Sequence, residues 1–399
     1  MPADPPVATG SHHLYVHVPF CRLVCAYCDF VTVGGRAADI PRYVDALLAE
    51  LRARPAPGEL QTIYFGGGTP SLLPALQVAR LVEATLDRWA GTPAEITLEA
   101  NPGARETPDW AGLRAAGVTR VSLGVQSLRD DDLRILARGH TAAEGRAAYA
   151  AARAAGFDNV SIDLIYGIPG QSLPDWQEGL RAALALGPDH LSLYALQLAL
   201  EPDEWAAPPR RGALRWRRRM AALQDDALAA DQYRAAEELL GAAGYEHYEL
   251  SSWARPGMAS RHNGAYWARR PYTGIGAGAH SYDGSGYRSW NERGLDAYLD
   301  AVEAGRLPTA GGETLDEPTR AFEAIALGLR RVSGLDRAAF AAEFGADPVA
   351  RYPQAVEKAT ARGLLEVEPA ALRLTREGRL LANEVLIGFA PDPAAVAAG

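Results

Sequence analysis

Cys21, Cys25 and Cys28 are the only cysteines in the chain, and they fall within eight residues of one another. An odd, tightly grouped set argues against disulfides and for metal ligation or redox chemistry. Soft thiolates select iron–sulfur clusters or zinc. A closed structural zinc site needs a fourth protein ligand. Only His17 or Asp29 lies near enough in sequence to supply one, so an iron–sulfur cluster is the stronger reading. Three thiolates on a four-iron cluster leave one iron open to a substrate or cofactor. Pro19 stiffens the approach to the loop, and Tyr27 and Phe30 are placed to shield a cluster from water.

Other residues with chemical capacity follow short apolar runs. In Gly66-Gly67-Gly68-Thr69-Pro70, absent side chains let backbone come close to a ligand, although a glycine triplet alone is ordinarily a tight turn. Glu99 ends an apolar run and needs a partner, for which a ligand ammonium would serve. Arg138 can grip a carboxylate with two parallel hydrogen bonds, and Asp163 can bind ribose hydroxyls. Taken one at a time, a structural salt bridge or cap is the commoner account of each.

The elements that must carry these residues alternate. Strand-like runs at Leu14–Val18, Gln61–Phe65, Glu95–Glu99, Thr119–Val125, Asn159–Ile165 and His190–Leu196 are separated by segments with apolar residues three and four apart. Six βα repeats predict an α/β fold with a parallel sheet, open or curled into a partial barrel. The cysteine loop follows the first strand and the glycine triplet the second. Glu99 closes the third, Gln126 follows the fourth, Asp163 lies in the fifth and Gln197 just past the sixth. Carboxyl ends of barrel strands open on one face, where such residues converge.

Beyond 201 the pattern changes. A stretch rich in Pro, Trp and Arg gives way to helix near 220–243, then to a polar, glycine-rich and aromatic stretch from Tyr245 to Tyr298. From Pro318 the pattern is helical. Gly363–Val367 and Leu372–Thr375 read as a hairpin, and Arg376–Ile387 as one helix ending at Gly388. The expected organisation is a barrel domain over 1–245, a connecting segment over 246–310, and a smaller winged-helix-like α+β domain over 311–399.

The bulk numbers exclude several classes. The chain has 399 residues, 48% hydrophobic and 22% charged, with net charge −9 and an isoelectric point near 5.5. That composition is ordinary for a globular protein and offers no general footprint for nucleic acid. The amino terminus lacks a signal-peptide pattern, and no run approaches the roughly 18 apolar residues of a membrane span. A soluble, cytoplasmic protein is expected. Within Arg210–Arg219 the arginines are dense; a solvated helix face is the plain reading. A patch for an acidic partner, a carboxylated ligand or a peripheral membrane contact is the sharper one.

The spacing Cys-x3-Cys-x2-Cys resembles the signature of the radical S-adenosylmethionine (SAM) superfamily, whose members hold a [4Fe-4S] cluster with SAM on its open iron. His17-Val18-Pro19-Phe20-Cys21, Phe65–Pro70, Ser122–Ser127 and Asp163–Gly170 are similar to the group related to oxygen-independent coproporphyrinogen III oxidase. The similarity runs over nearly the whole chain. It implies a partial (β/α)6 barrel and SAM contacts at Tyr15, Gly67, Gly68, Thr69, Glu99, Gln126, Arg138 and Asp163. Gln197 ranks lower, because its surroundings align poorly.

Within that group, the oxidase has a fourth cysteine where this chain has Phe30, and a long amino-terminal arm where only twenty residues precede Cys21. The heme-chaperone branch shows Cys-Asp-Phe and His-Asn-x-x-Tyr, matching Cys28-Asp29-Phe30 and His262-Asn263-Gly264-Ala265-Tyr266. The resemblance thus implies heme bound near His262 and Tyr266 and passed to apo-hemoproteins, in a protein that can form a homodimer. An imidazole can ligate heme iron, and Arg255 and Arg261 are candidates for its propionates. His247 and His280 are rival ligands. The alternatives are the oxidase itself, a heme-opening radical SAM methyltransferase, and a structural iron–sulfur or zinc protein.

Overall fold

The computed structural model describes residues 10–103, 106–198 and 212–391. Alternation along the six runs builds the barrel, because successive strand residues face opposite sides. In β1 (Ser11–Val18), Leu14, Val16 and Val18 enter the main hydrophobic core. His13, Tyr15 and His17 take the other face, where they meet polar groups. β2 (Glu59–Gly67), β3 (Glu95–Ala100), β4 (Arg120–Gln126), β5 (Asn159–Tyr166) and β6 (His190–Ala195) follow in order, each parallel to the last. Helices such as Ile40–Ala53, Ala75–Leu86 and Leu173–Leu186 pack on the apolar face. The α/β partial barrel expected from the repeats is present.

The stretch read as a connecting segment joins the same sheet at both edges. Ser252–Ala254 pairs antiparallel with β6, and Glu246–Glu249 lies beyond it. On the opposite edge, Tyr272–Ile275 pairs parallel with β1, followed by His280–Tyr282, Tyr287–Asn291 and Thr309–Thr314. The result is a 12-stranded sheet among the described residues. A buried ion pair ties this edge to the barrel. Glu50 accepts from Arg54 Nε at 2.7 Å, from Asn291 Nδ2 at 2.8 Å and from the Tyr298 hydroxyl at 2.8 Å.

The carboxyl-terminal part has its own core around Phe340, Leu372 and Phe389. Its expected hairpin, Leu365–Val367 with Ala371–Leu374, gains a third strand at Leu335–Asp336. The helix expected over Arg376–Ile387 is instead two, Arg376–Leu380 and Ala382–Ile387, broken at Leu381 (φ −113°, ψ 28°). The first is pressed so close to Leu364 that a Cβ on Gly378 would lie 1.9 Å from its carbonyl oxygen. The break turns Leu380–Glu384 toward the barrel mouth. Among the described residues no helix is long and apolar enough to cross a membrane.

Candidate functional site

The cysteine loop is fastened at its base and its back. Phe20–Cys21 pairs with Val33–Gly34, and Val33 N–H donates to the Pro19 carbonyl at 2.7 Å. His17 Nε2 donates to the Val31 carbonyl at 2.8 Å, and its Nδ1 accepts from the Tyr15 hydroxyl at 3.0 Å. Neither nitrogen is left for a metal, and Asp29 is paired with Arg217 at 2.7 Å. Arg217 also donates to the carbonyls of Ala26 (2.8 Å) and Cys28 (3.0 Å). Part of the dense arginine run is therefore a buried strut behind the loop and not a solvated face; Arg210 and Arg211 lie outside the described residues.

All three cysteines are half-buried and line one cavity of about 810 Å³. Burial pushes the Cys21 thiol up to about 12 and the Cys28 thiol up to about 11. Such thiols lose their protons once bound to iron, whose charge would stabilise the thiolates against burial. Three soft donors on one wall of a cavity fit a [4Fe-4S] cluster, which they would hold by three irons, leaving the fourth without a protein ligand.

The glycine triplet forms the adjoining wall for steric reasons. Gly67 has φ +114°, and a Cβ there would meet the His17 ring at 2.5 Å. A Cβ on Gly68 would lie 2.7 Å from the carbonyl oxygens of Pro19 and Phe20. Glu99 faces the cavity, accepting from Tyr64 Oη at 2.6 Å and Gly67 N–H at 3.0 Å. Burial raises its carboxyl to about 7.

Two non-glycine residues in the left-handed region aim the opposite wall. Gln126 (φ 67°) ends β4 on the cavity, and Ala137 (φ 52°) turns Arg138 inward. Such backbone costs roughly 1–3 kcal/mol per residue and persists where surrounding structure enforces it. Arg138 Nη2 donates to Asn101 Oδ1 (2.7 Å) and the Gly124 carbonyl (2.9 Å), and Nη1 approaches Cys25 Sγ (3.2 Å). Its Nε is buried without a partner. Asp163 accepts from Ser122 (3.0 Å) and Ser161 (3.1 Å).

Of the expected SAM residues, Gly67, Gly68, Glu99, Gln126, Arg138 and Asp163 line the cavity, as does Gln197. Tyr15 and Thr69 stand behind the wall. Tyr15 stacks on Tyr64 (6.1 Å, 23°), and Thr69 bridges Cys21 Sγ at 3.6 Å and Asn101 Nδ2 at 2.8 Å. The sequence reading missed Asn101, Tyr64 and Arg217. For Asn101 a signal existed: Asn-Pro-Gly directly after the third strand, two residues past the carboxylate of Glu99.

His262 and Tyr266 lie elsewhere, on the short helix Arg261–Trp267 packed beneath the barrel. The backbone N–H groups of Arg261 and His262 donate to Glu95 at 2.9 and 3.1 Å. His262 is 1% exposed. Its Nδ1 lies 2.7 Å from Thr62 Oγ1 and its Nε2 2.9 Å from the Tyr266 hydroxyl. In this arrangement neither ring nitrogen is open to an iron. The rivals are not at the cavity either. His247 stacks flat on Trp253 (4.1 Å, 8°), and His280 lies on the strand His280–Tyr282, beyond the one that pairs with β1, against Trp290. Arg255 donates to the Pro188 carbonyl at 3.2 Å and lies over Tyr245, away from His262.

Known proteins agree with this architecture. Residues 15–183 match the Radical SAM superfamily, and residues 315–381 match the HemN C-terminal domain. The structure resembles coproporphyrinogen III oxidase (HemN) from Escherichia coli with TM-score 0.79 at 24% identity, covering 95% of this chain and 89% of that one. At that identity the likeness speaks to the fold. The heme chaperone HemW of Mycobacterium tuberculosis (strain H37Rv) is 38% identical, over 97% of this chain and 96% of its own length. Those of Escherichia coli K12 and Bacillus subtilis 168 are 34% and 32% identical, each over 94% of this chain. At that similarity over nearly its full length, the chain belongs to the HemW family of radical SAM proteins.

Proposed function

We propose that this protein is a cytoplasmic heme chaperone, which binds heme and passes it to apo-hemoproteins while carrying a [4Fe-4S] cluster and SAM. The observation that carries the reading is the joint placement of Cys21, Cys25 and Cys28 with Glu99, Gln126, Arg138 and Asp163 on one cavity, in a chain of the HemW family. When bound, the cluster and SAM supply one-electron chemistry. The chain's own part is positional. Arg217 and the Val33–Pro19 bond hold the loop, the glycines admit a ligand to the backbone, and Arg138 and Glu99 present opposite charges to an amino acid's two ends.

Phe30, where the oxidase has its fourth cysteine, is 67% exposed at the mouth. Heme is cargo in this reading. Ligation by His262 and Tyr266 requires the Arg261–Trp267 helix to leave the barrel, since both nitrogens of His262 are engaged there.

The test is a heme titration of the anaerobically reconstituted protein followed at the Soret band, with His262→Ala alongside. Saturable binding near one heme per chain is expected, with an altered spectrum in the variant. An unaltered spectrum removes His262 as the ligand. Absence of saturable binding in the wild type, or formation of protoporphyrinogen from coproporphyrinogen III with SAM and a reductant, overturns the chaperone reading.

A further inference from the structure

Arg120 opens β4 at the floor of the same cavity, at the end of the strand opposite Gln126. It is 2% exposed and among the largest fully buried side chains of the protein. A guanidinium in such a place is ordinarily locked into an ion pair with hydrogen bonds. Here it is not: its Nε is buried without an acceptor, and among the described residues no carboxylate closes on it as an ion pair. Burial works against its charge, yet Glu95 and Asp163 act at longer range to hold it protonated.

Those carboxylates are occupied by other donors. Asp163 is held by Ser122 and Ser161. Glu95 takes the Arg261 and His262 N–H groups at 2.9 and 3.1 Å. Glu99 takes Tyr64 and Gly67. Asp163, Glu99 and Glu95 are thus engaged by neutral donors, Asp29 and Glu384 at the mouth pair with Arg217 and Arg362, and the floor keeps a cation with an unpartnered Nε. A planar guanidinium with free N–H groups matches a carboxylate in two-point geometry. A dianionic phosphate would meet Asp163 and Glu99 at close quarters, so a singly charged carboxylate is the better match. The cavity, at about 810 Å³, is of the size that encloses small-molecule ligands.

We infer that Arg120 is a carboxylate-binding residue, a subsite at the barrel floor that receives the acid group of a ligand entering from the cluster side. The heme cargo would supply that group through a propionate, since the SAM carboxylate is assigned to Arg138 beside the cluster loop. The subsite therefore rests on the chaperone reading.

The experiment pairs each acid-bearing ligand with a form lacking the acid group. Dissociation constants are measured on the reconstituted protein for SAM and decarboxylated SAM, and for heme and heme dimethyl ester, in wild type, Arg120→Gln and Arg120→Lys. In the heme pair, Arg120→Gln should weaken heme by at least about thirtyfold and leave the dimethyl ester within about twofold, with both members of the SAM pair unmoved. Arg120→Lys, which keeps the charge without the fork, should fall between. Circular dichroism and cluster absorbance check that the variants fold and load. If Arg120→Gln shifts heme and its dimethyl ester alike, or leaves both as in wild type, the subsite does not exist and the chaperone reading stands. If wild type fails to bind heme at all, the chaperone reading falls and the subsite with it.

Discussion

Arg138 and Cys25 meet across the mouth of the barrel, with Nη1 of the arginine 3.2 Å from the cysteine Sγ. The same guanidinium holds Asn101 and the Gly124 carbonyl. One side chain thus links the cluster loop, the end of β3 and the interior of β4, and the left-handed turn at Ala137 makes that reach possible.

Removing this link should affect SAM before it affects folding. Arg138→Gln is expected to weaken SAM binding by at least about tenfold, because it deletes a charged, two-point partner for a carboxylate. Asn101→Ala, which only frees Arg138 and Thr69 from their tether, should have a smaller effect. Equilibrium dialysis of SAM against the reconstituted proteins measures both. Equal losses would mean that Asn101 itself contacts SAM.

Arg217 should govern how well the loop keeps its cluster. Arg217→Ala deletes the donors to Ala26 and Cys28 and the pair with Asp29. Iron per chain after reconstitution should be near wild type, but bleaching of the brown absorbance in air should be several-fold faster. By contrast, alanine at Cys21, Cys25 or Cys28 should abolish that absorbance. Wild-type bleaching in the Arg217 variant would reduce the strut to an ornament of packing.

Glu99 sets a pH dependence of known sign. Its carboxyl is raised to about 7 in the fold from an ordinary 4.5. Between those values the folded state binds the proton more tightly, so its contribution to stability is complete below about 4.5 and lost as pH rises through 7. Glu99→Gln cannot ionise and removes this dependence. Urea midpoints of the cluster-free proteins should therefore diverge from pH 5 to pH 8 in favour of the variant. The change in the difference is the readout, since losing one acceptor shifts the variant by a constant. A constant difference across that range would count against a protonated Glu99.

The buried histidines act in the opposite sense. Burial pushes His12 and His13 down to about 4, and His262 well below its ordinary range. From about pH 6.5 downward the unfolded chain takes up protons that the folded chain refuses, so stability falls with acid. His13 and His262 share Thr62 through hydrogen bonds of 2.8 and 2.7 Å. His262→Gln should lower stability at pH 7 by about 1–3 kcal/mol and flatten the loss between pH 6.5 and 5. A full wild-type acid slope in that variant would show that His262 is not held neutral.

What could be read from the chain alone was whatever depends on short spacing. The cysteines share one loop, so three thiolates at intervals of four and three residues disclose their chemistry locally. The six barrel strands announce themselves because each buries one apolar face over five or more residues. The strands between Glu246 and Thr314 were illegible because most of them are short, and their partners are edges of a sheet formed far away in sequence. Likewise the helix break at Leu381 lies three residues past Gly378, whose close packing on Leu364 no local pattern reveals.

Tertiary structure alone decided which polar residues face the cavity. Arg120, Tyr64 and Asn101 looked like ordinary strand and turn residues, and Arg217 like one arginine in a surface run. Their roles arise from partners 32 to 191 residues away or, for Arg120, from the lack of one close at hand. His262 shows the reverse: its motif marked it as a candidate heme ligand, while the fold placed it under the barrel with both nitrogens bonded. Strand alternation says that a side chain points in or out, but only the closing of the sheet decides what it meets there.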